Sequence, residues 1–361
     1  MDKLRSVIFF IIILTANCSF AQAPIDSIAA IAKKIHIPGL EVVHAKEGEL
    51  HSYYWGVLKN GELARVNNET AFQAASLTKV VTAYAFFRLY DEGLIELDKP
   101  LYHYYKYDRL ANSPEGQLIT ARMVLTHHTG LLNWEGDVPS KEWRESPLHV
   151  QFKPGSSYMY SGEGFYYLQL VMEAVSGMSF DKLIEDYVLH PLGMKHSQIV
   201  WKDTLLANLS YGHVENAKPR QIAKYKTVNA AYTLYTTAED YTLFIQKGLH
   251  KGIGLRPETR KMMHSKAADV KKGDKPSPDD AHVPVALGVR LQYNEAGTWL
   301  WHTGSNPGFR CFFISNPATG ESLAAFMNAE TGFKAMPLLM KLFLGSHQTF
   351  WAYLWREGEL D

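Results

Sequence analysis

Apolar residues change their spacing several times along this chain, and each change marks an element. Val7–Ala16 is an unbroken apolar run behind Lys3 and Arg5. It has the length of a secretory core and is too short to span a bilayer well. Ile28, Ile31, Ala32 and Ile35 then recur at helical spacing, which predicts a helix over Ile25–Ile37, ended by Pro38-Gly39. Leu40–Val43 and Ser52–Gly56 read as strands around the turn Glu47-Gly48-Glu49, and Asn60-Gly61 is a hairpin signal. The stretch Ala71–Gly93 (AFQAASLTKVVTAYAFFRLYDEG) is different in kind. Val80, Val81, Ala83, Tyr84, Phe87 and Leu89 make it apolar on nearly every side, so its helix belongs in a core. Gly93 stands where a helix C-cap glycine is expected.

From Leu94 the pattern becomes helical and loop-rich. A Tyr-rich segment, Leu101–Tyr107, precedes short helical runs at Thr120–Leu125 and Phe165–Val175 and a run opened by Ser179. Thr236-Thr237-Ala238-Glu239-Asp240 caps a further helix, Tyr241–Leu249. Lys266–Pro284 is charged and contains Pro and Gly, so it reads as a surface loop. Strand patterns then return at Val285–Tyr293, Thr298–His302, Phe309–Asn316 and Ser322–Met327, separated by Gly- and Asn-containing turns. Pro337–Leu344 and Phe350–Leu354 are terminal helical pieces. Strands at both ends of a helical middle predict an α+β architecture. The expectation is one antiparallel sheet flanked by helices, drawn from about residues 24–93 and 230–345, with a mostly helical lobe inserted over about 94–229. Residues 351–361 are read as a tail. A site between the two lobes is the default expectation.

Composition narrows the function classes. The 361 residues are 46% hydrophobic and 20% charged with zero formal net charge, which suits a globular domain with a sizeable core. No basic run or stripe points to nucleic acid. Ala21-Gln22-Ala23 supplies a small-x-small cleavage site, so residues 1–23 are expected to leave as a signal peptide. Export to a periplasm or the medium follows, with no stable membrane span afterwards. Lipidation of Cys18 is the rival reading, although Thr15-Ala16-Asn17 matches that signal poorly. Cys311, the second of two cysteines, lies in an apolar run and reads as a buried thiol.

Candidate chemistry centres on Ser76-Leu77-Thr78-Lys79. Residues three apart share a helix face, so the hydroxyl and the amine can meet. A serine hydroxyl needs a neighbour to take its proton, and a Lys in an apolar setting falls in pKa and can do so. A second Ser-x-x-Lys, Ser179–Lys182, opens an amphipathic run and reads as a helix N-cap with a solvated Lys. His127 and His128 are adjacent and point apart, with no third ligand evident. They are read as structural, and no metal or organic cofactor is expected.

Ser76-x-x-Lys79, Tyr160-Ser161-Gly162 and His302-Thr303-Gly304-Ser305, in this order, resemble the motifs of serine β-lactamases and penicillin-binding peptidases. The match is closest to the branch holding class C β-lactamases, DD-peptidases and related esterases and aminopeptidases, and it covers roughly residues 25–345. The resemblance implies an acyl-enzyme on Ser76. Lys79 and Tyr160 would share the proton work, with Tyr160 the general base and Lys79 the positive charge that favours its phenolate. His302, Thr303, Gly304 and Ser305 would line the edge of the site, and the backbone N–H groups of Ser76 and Ser305 would form an oxyanion hole. Two positions depart from the pattern. His302 stands where many relatives carry Lys. Gly162 replaces the Asn of Tyr-x-Asn, whose side chain in relatives contacts the Lys and the substrate amide. Glu163 is a candidate to supply a polar group in its place.

The reading is therefore an exported serine hydrolase acting on ester or amide, peptide-like bonds of a small molecule or peptide. Gly162 puts an esterase or peptidase ahead of a true β-lactamase. A penicillin- or peptidoglycan-binding protein with weak turnover is the alternative from another class, and metal-dependent hydrolysis through the histidines is a third. The loops Asn133–Phe152 and Tyr211–Ala230 are expected to shape the pocket. Tyr102–Tyr107 is open to two readings, a substrate entrance or packing between lobes.

Overall fold

The computed structural model describes residues 24–270 and 278–357. The expected signal peptide with its cleavage site, and Cys18, lie outside these residues. Helix α1 (24–35) leads into a hairpin of β1 (Gly39–Lys46) and β2 (Glu49–Gly56). Four strands follow much later: β3 (Arg290–Asn294), β4 (Gly297–Asn306), β5 (Phe309–Ser315) and β6 (Ser322–Met327). They form one six-stranded antiparallel sheet in the order β2-β1-β6-β5-β4-β3. The two ends of the chain meet at β1 and β6, in a register that pairs Leu40 with Met327 and Ala45 with Ser322.

Both faces of this sheet are covered, which explains why its strands read as continuous apolar runs. Along β5, Cys311 and Phe313 join the core on one side, while Phe312 and Ile314 join the core on the other. The first core holds α2 (Thr78–Asp91) and the helical lobe, including α3 (Gly162–Ser176). The second holds α1 and α4 (Met336–Leu344). Eleven of the fourteen residues of α2 are buried. Its C-terminus closes as a Schellman motif, with Leu94 N–H donating to Leu89 O (3.1 Å), Gly93 N–H to Tyr90 O (3.0 Å), and Gly93 at φ +77°.

One element differs from the sequence reading. The expected strand Val285–Tyr293 is regular only from Arg290. Val285 pairs instead with Ala268, and Gly288 turns the chain at φ +84° and donates its N–H to Leu125 O of the helical lobe. The terminal helical piece expected at Phe350–Leu354, within the segment read as a tail, is helix α5 (Trp351–Glu357). Trp355 of α5 is buried against Trp301 and Tyr158, and its indole N–H donates to Asp280. Tyr107 stacks on Tyr167 inside the helical lobe, so this part of the Tyr-rich segment is used for packing. Among the described residues no helix is long and apolar enough to cross a membrane.

Candidate active site

The chain enters α2 through a tight 3-10 turn, Ala75–Leu77, that carries Ser76 half-buried on its rim. Ala75 sits at φ +48°, a left-handed conformation that costs a non-glycine residue about 1–2 kcal/mol. The surroundings hold it there. Thr78 Oγ1 donates to Ala75 O (2.6 Å), and Cys311 Sγ donates to Ala74 O (3.0 Å). Strand β4 runs close beside this turn because Gly304 has no side chain. A Cβ at that position would fall 2.4 Å from Ala74 O and 2.5 Å from Cys311 Sγ. The buried thiol and the glycine of the His302–Ser305 stretch thus serve one purpose, the close approach of strand and turn.

One turn into α2, Lys79 is 1% exposed. Its Nζ lies 3.4 Å from Ser76 Oγ and 3.1 Å from Ala231 O. The ring of Tyr160 is 4.8 Å from Nζ and that of Phe165 is 5.7 Å away. Among the described residues no carboxylate pairs with this amine. Burial, reinforced by the positive charge of Arg290, lowers its pKa to about 7. Lys79 is thereby less a permanent cation beside Tyr160 and more a proton acceptor in its own right.

Tyr160 precedes α3, which Ser161 caps by accepting from Gly164 N–H (2.9 Å) and donating to Leu132 O (2.9 Å). The Tyr160 ring packs on His127 at 4.4 Å between centroids and faces His302 at 6.3 Å. Both histidines are buried, and burial together with Arg290 drives their pKa values well below the usual range. Each is neutral, and the partners fix the tautomers. Ser161 N–H donates to His127 Nδ1 (3.1 Å), which leaves the proton on Nε2. His302 Nδ1 donates to Thr303 O (2.7 Å), which leaves Nε2 as the acceptor. Of the stretch His302–Ser305, Ser305 reaches the cavity beside Ser76 and Lys79, while His302 is buried behind it.

Glu163 does not stand in for the missing Asn. It is fully buried on the far side of α3, paired with Arg109 (3.0 Å) and accepting from Trp143 Nε1 (2.6 Å) and Glu135 N–H (2.9 Å). Its role is to anchor the loop after Leu132. What fills the space at Gly162 is Trp134. A Cβ on Gly162 would fall 2.4 to 2.8 Å from three atoms of that indole. The cavity of about 340 Å³ beside Ser76 draws residues from both long loops, including Trp134 and Tyr225, together with Tyr232. Among the described residues no three His, Cys, Asp or Glu side chains converge as a metal's ligands would.

Three neighbours of the site were not legible in the sequence. Arg290 begins a strand and carries no motif, yet its guanidinium lies 5.7 Å from the Tyr160 ring centroid and donates to Tyr158. Trp134 sits in a loop with nothing local to set it apart. His127 was visible only as half of a histidine pair.

Sheet, helical lobe and a Ser–Lys pair at their junction define the class of the β-lactamase and transpeptidase fold. A model of the Beta-lactamase family matches residues 25–341, and the chain belongs to that family. It is similar to a class C β-lactamase structure, with a TM-score of 0.76 at 19% identity, covering 90% of this chain and 95% of that one. A D-alanine carboxypeptidase AmpC from Burkholderia cenocepacia gives the same TM-score and identity over 91% of this chain and 99% of its own. By sequence the chain is 23% identical over 262 residues to Penicillin-binding protein 4 of Amycolatopsis lactamdurans, which spans 66% of each protein. It is 25% identical over 189 residues to Protein flp of Staphylococcus aureus strain MW2, covering 49% of this chain and 38% of that relative. The match thus spans less than two thirds of the length of these curated relatives.

Proposed function

We propose that this protein is an exported serine hydrolase that forms an acyl-enzyme on Ser76 and cleaves ester or peptide-like amide bonds. The observation that carries the reading is the buried Lys79 amine, 3.4 Å from Ser76 Oγ, with a pKa of about 7 and, among the described residues, no carboxylate to hold its proton. Ser76 Oγ attacks the substrate carbonyl carbon and its proton passes to neutral Lys79, with Tyr160 beside it to relay or share that proton. The tetrahedral oxyanion is received by the backbone N–H groups of Ser76 and Ser305. The proton then goes to the departing alkoxide or amine. Water, activated by the same pair, hydrolyses the ester on Ser76 and restores the hydroxyl.

The neutral state of His302 bears on the substrate. Where relatives carry Lys, a cation can meet a carboxylate, whereas here the imidazole is neutral and buried behind Ser305 and offers no positive charge. Among the described residues the sole charged side chain lining the cavity is Lys79. Both points favour uncharged esters or amides. A second reading, a penicillin-binding protein that acylates with slow turnover, is favoured by the loss of the Asn at Gly162. Export rests on the leader pattern of residues 1–23.

Intact-mass measurement of the mature protein after treatment with a fluorophosphonate, and separately with benzylpenicillin, tests this. The expected result is a stoichiometric phosphonate adduct that Ser76→Ala abolishes, with ester hydrolysis lost in the same variant. A lasting penicillin adduct would favour the slow-turnover reading. Hydrolysis that survives in Ser76→Ala would sink the acyl-enzyme altogether.

A further inference from the structure

The space next to the reacting serine is built for an apolar group. Trp134 lies where a side chain on Gly162 would project, with indole atoms Cζ2, Cη2 and Cε2 all within 2.8 Å of the position a Cβ would take. The indole and any side chain at position 162 are therefore mutually exclusive. The fold holds the indole in place from several directions. The N–H groups of Gly162 and Glu163, at the start of α3, both donate to Asn133 O (3.1 Å each). Trp143, locked by its bond to Glu163, packs edge-on against Trp134 at 6.2 Å. Tyr232 packs edge-on from the other side at 5.5 Å, and Tyr225 meets Tyr232 at 5.1 Å. Three rings thus form one continuous wall of the 340 Å³ cavity that opens on Ser76.

Two polar groups beside this wall, the Tyr225 hydroxyl and the Asn306 amide, are already engaged. Tyr225 Oη and Asn306 Nδ2 both donate to Gln73 Oε1, at 3.2 and 2.9 Å. Asn306 Nδ2 also lies 3.4 Å from Tyr232 O. An amide on an incoming acyl group would find the Asn of the usual motif replaced by an indole, and these neighbouring donors spent. A hydrocarbon chain or aryl ring would find flat apolar surface, held rigid and partly desolvated before it arrives, which is where burial is most favourable.

We propose that Trp134, seated in the space Gly162 leaves and backed by Tyr232 and Tyr225, is a specificity-determining residue that selects esters of medium-chain aliphatic or arylalkyl acyl groups. The proposal rests on Ser76 being the acylated nucleophile. Each methylene buried on the wall is worth roughly a fourfold preference. On this reading two or three methylenes of a hexanoyl chain reach it, whereas an acetyl group has only a methyl beside its carbonyl.

The test compares kcat/KM for p-nitrophenyl hexanoate and p-nitrophenyl acetate on the mature protein. The ratio is taken on one preparation, so the fraction correctly folded cancels. The wild type is expected to prefer hexanoate by at least tenfold, and Trp134→Ala to reduce that preference to within about threefold of unity. Should Trp134→Ala not unfold cooperatively, Trp134→Leu keeps apolar bulk and removes the plane, and an intermediate ratio is expected. A wild type without preference, or the same preference in wild type and variants, would overturn the slot while leaving the acyl-enzyme standing. A wild type whose Ser76 takes no fluorophosphonate and which cleaves neither ester would remove the nucleophile, and the slot with it.

Discussion

Lys79 shows how much chemistry one buried amine can carry. Under the proposed mechanism, its pKa of about 7 sets the pH range in which it would accept the proton of Ser76. For a neutral ester, kcat/KM is expected to rise with pH, with an inflection near 7 and a plateau above it. A pH–rate profile between 5.5 and 9 checks this. His127 and His302 are held neutral by burial and add no inflection in that range. Lys79→Arg, which stays protonated, should lose the inflection along with nearly all activity. The same shift has a stability signature. The folded protein leaves unbound a proton that the unfolded chain binds below pH 10.5, so stability should rise from pH 7 towards 10.5. Lys79→Met removes the group from both states. It should flatten that rise and stabilise the inactive protein by roughly 1–3 kcal/mol at neutral pH, readable as a shifted denaturant midpoint.

At the level of elements, the start of α3 organises the site more than the motif residues do alone. Ser161 caps the helix and Glu163 reaches out of its first turn to Arg109, Trp143 and the Glu135 backbone. The loop carrying Trp134 is thereby tied to the helix that presents Tyr160. Glu163→Ala strands the Arg109 guanidinium, 4% exposed, without its carboxylate. Losing one partner of a buried pair costs about 3–5 kcal/mol, so chemical denaturation should show a loss of that order. The preference for hexanoate over acetate proposed for Trp134 should fall as the loop loosens. Element boundaries were legible where pattern and packing agree. The α2 helix, its Gly93 cap and the turns between β4, β5 and β6 lie close to where periodicity and turn residues put them. The strand expected from Val285 starts instead at Arg290, because an apolar run buried on both sides looks the same whether or not its backbone joins the ladder.

The whole molecule is a sheet closed by its own ends. β1 and β6 pair across nearly three hundred residues, and the helical lobe is inserted between β2 and β3. Helix α5 belongs to this construction. Ala352 N–H donates to Gln292 Oε1 (2.7 Å) on β3, and Trp355 lies 4.3 Å from the guanidinium of Arg290, which in turn holds Tyr158 and faces Tyr160. Removing residues 351–361 is expected to lower Tm by roughly 5 °C or more and to reduce acylation of Ser76, since the support of Arg290 goes with it. Calorimetry and phosphonate labelling of the truncated protein check both effects.

The amino-acid sequence by itself determined the α+β class, the split of the sheet between the two ends of the chain, the three-residue spacing of Ser76 and Lys79, and the order of the motifs. Periodicity, turn residues and short spacings are local properties, and they survive without knowledge of what lies across the core. Tertiary structure alone decided that Lys79 is near neutrality, that both histidines beside Tyr160 are uncharged, that Arg290 stands behind them, and that Glu163 faces away while Trp134 occupies the room at Gly162. Those facts depend on burial and on neighbours far apart in the chain. A proton's affinity and a cavity's shape are set by everything that surrounds them, and no local pattern records that.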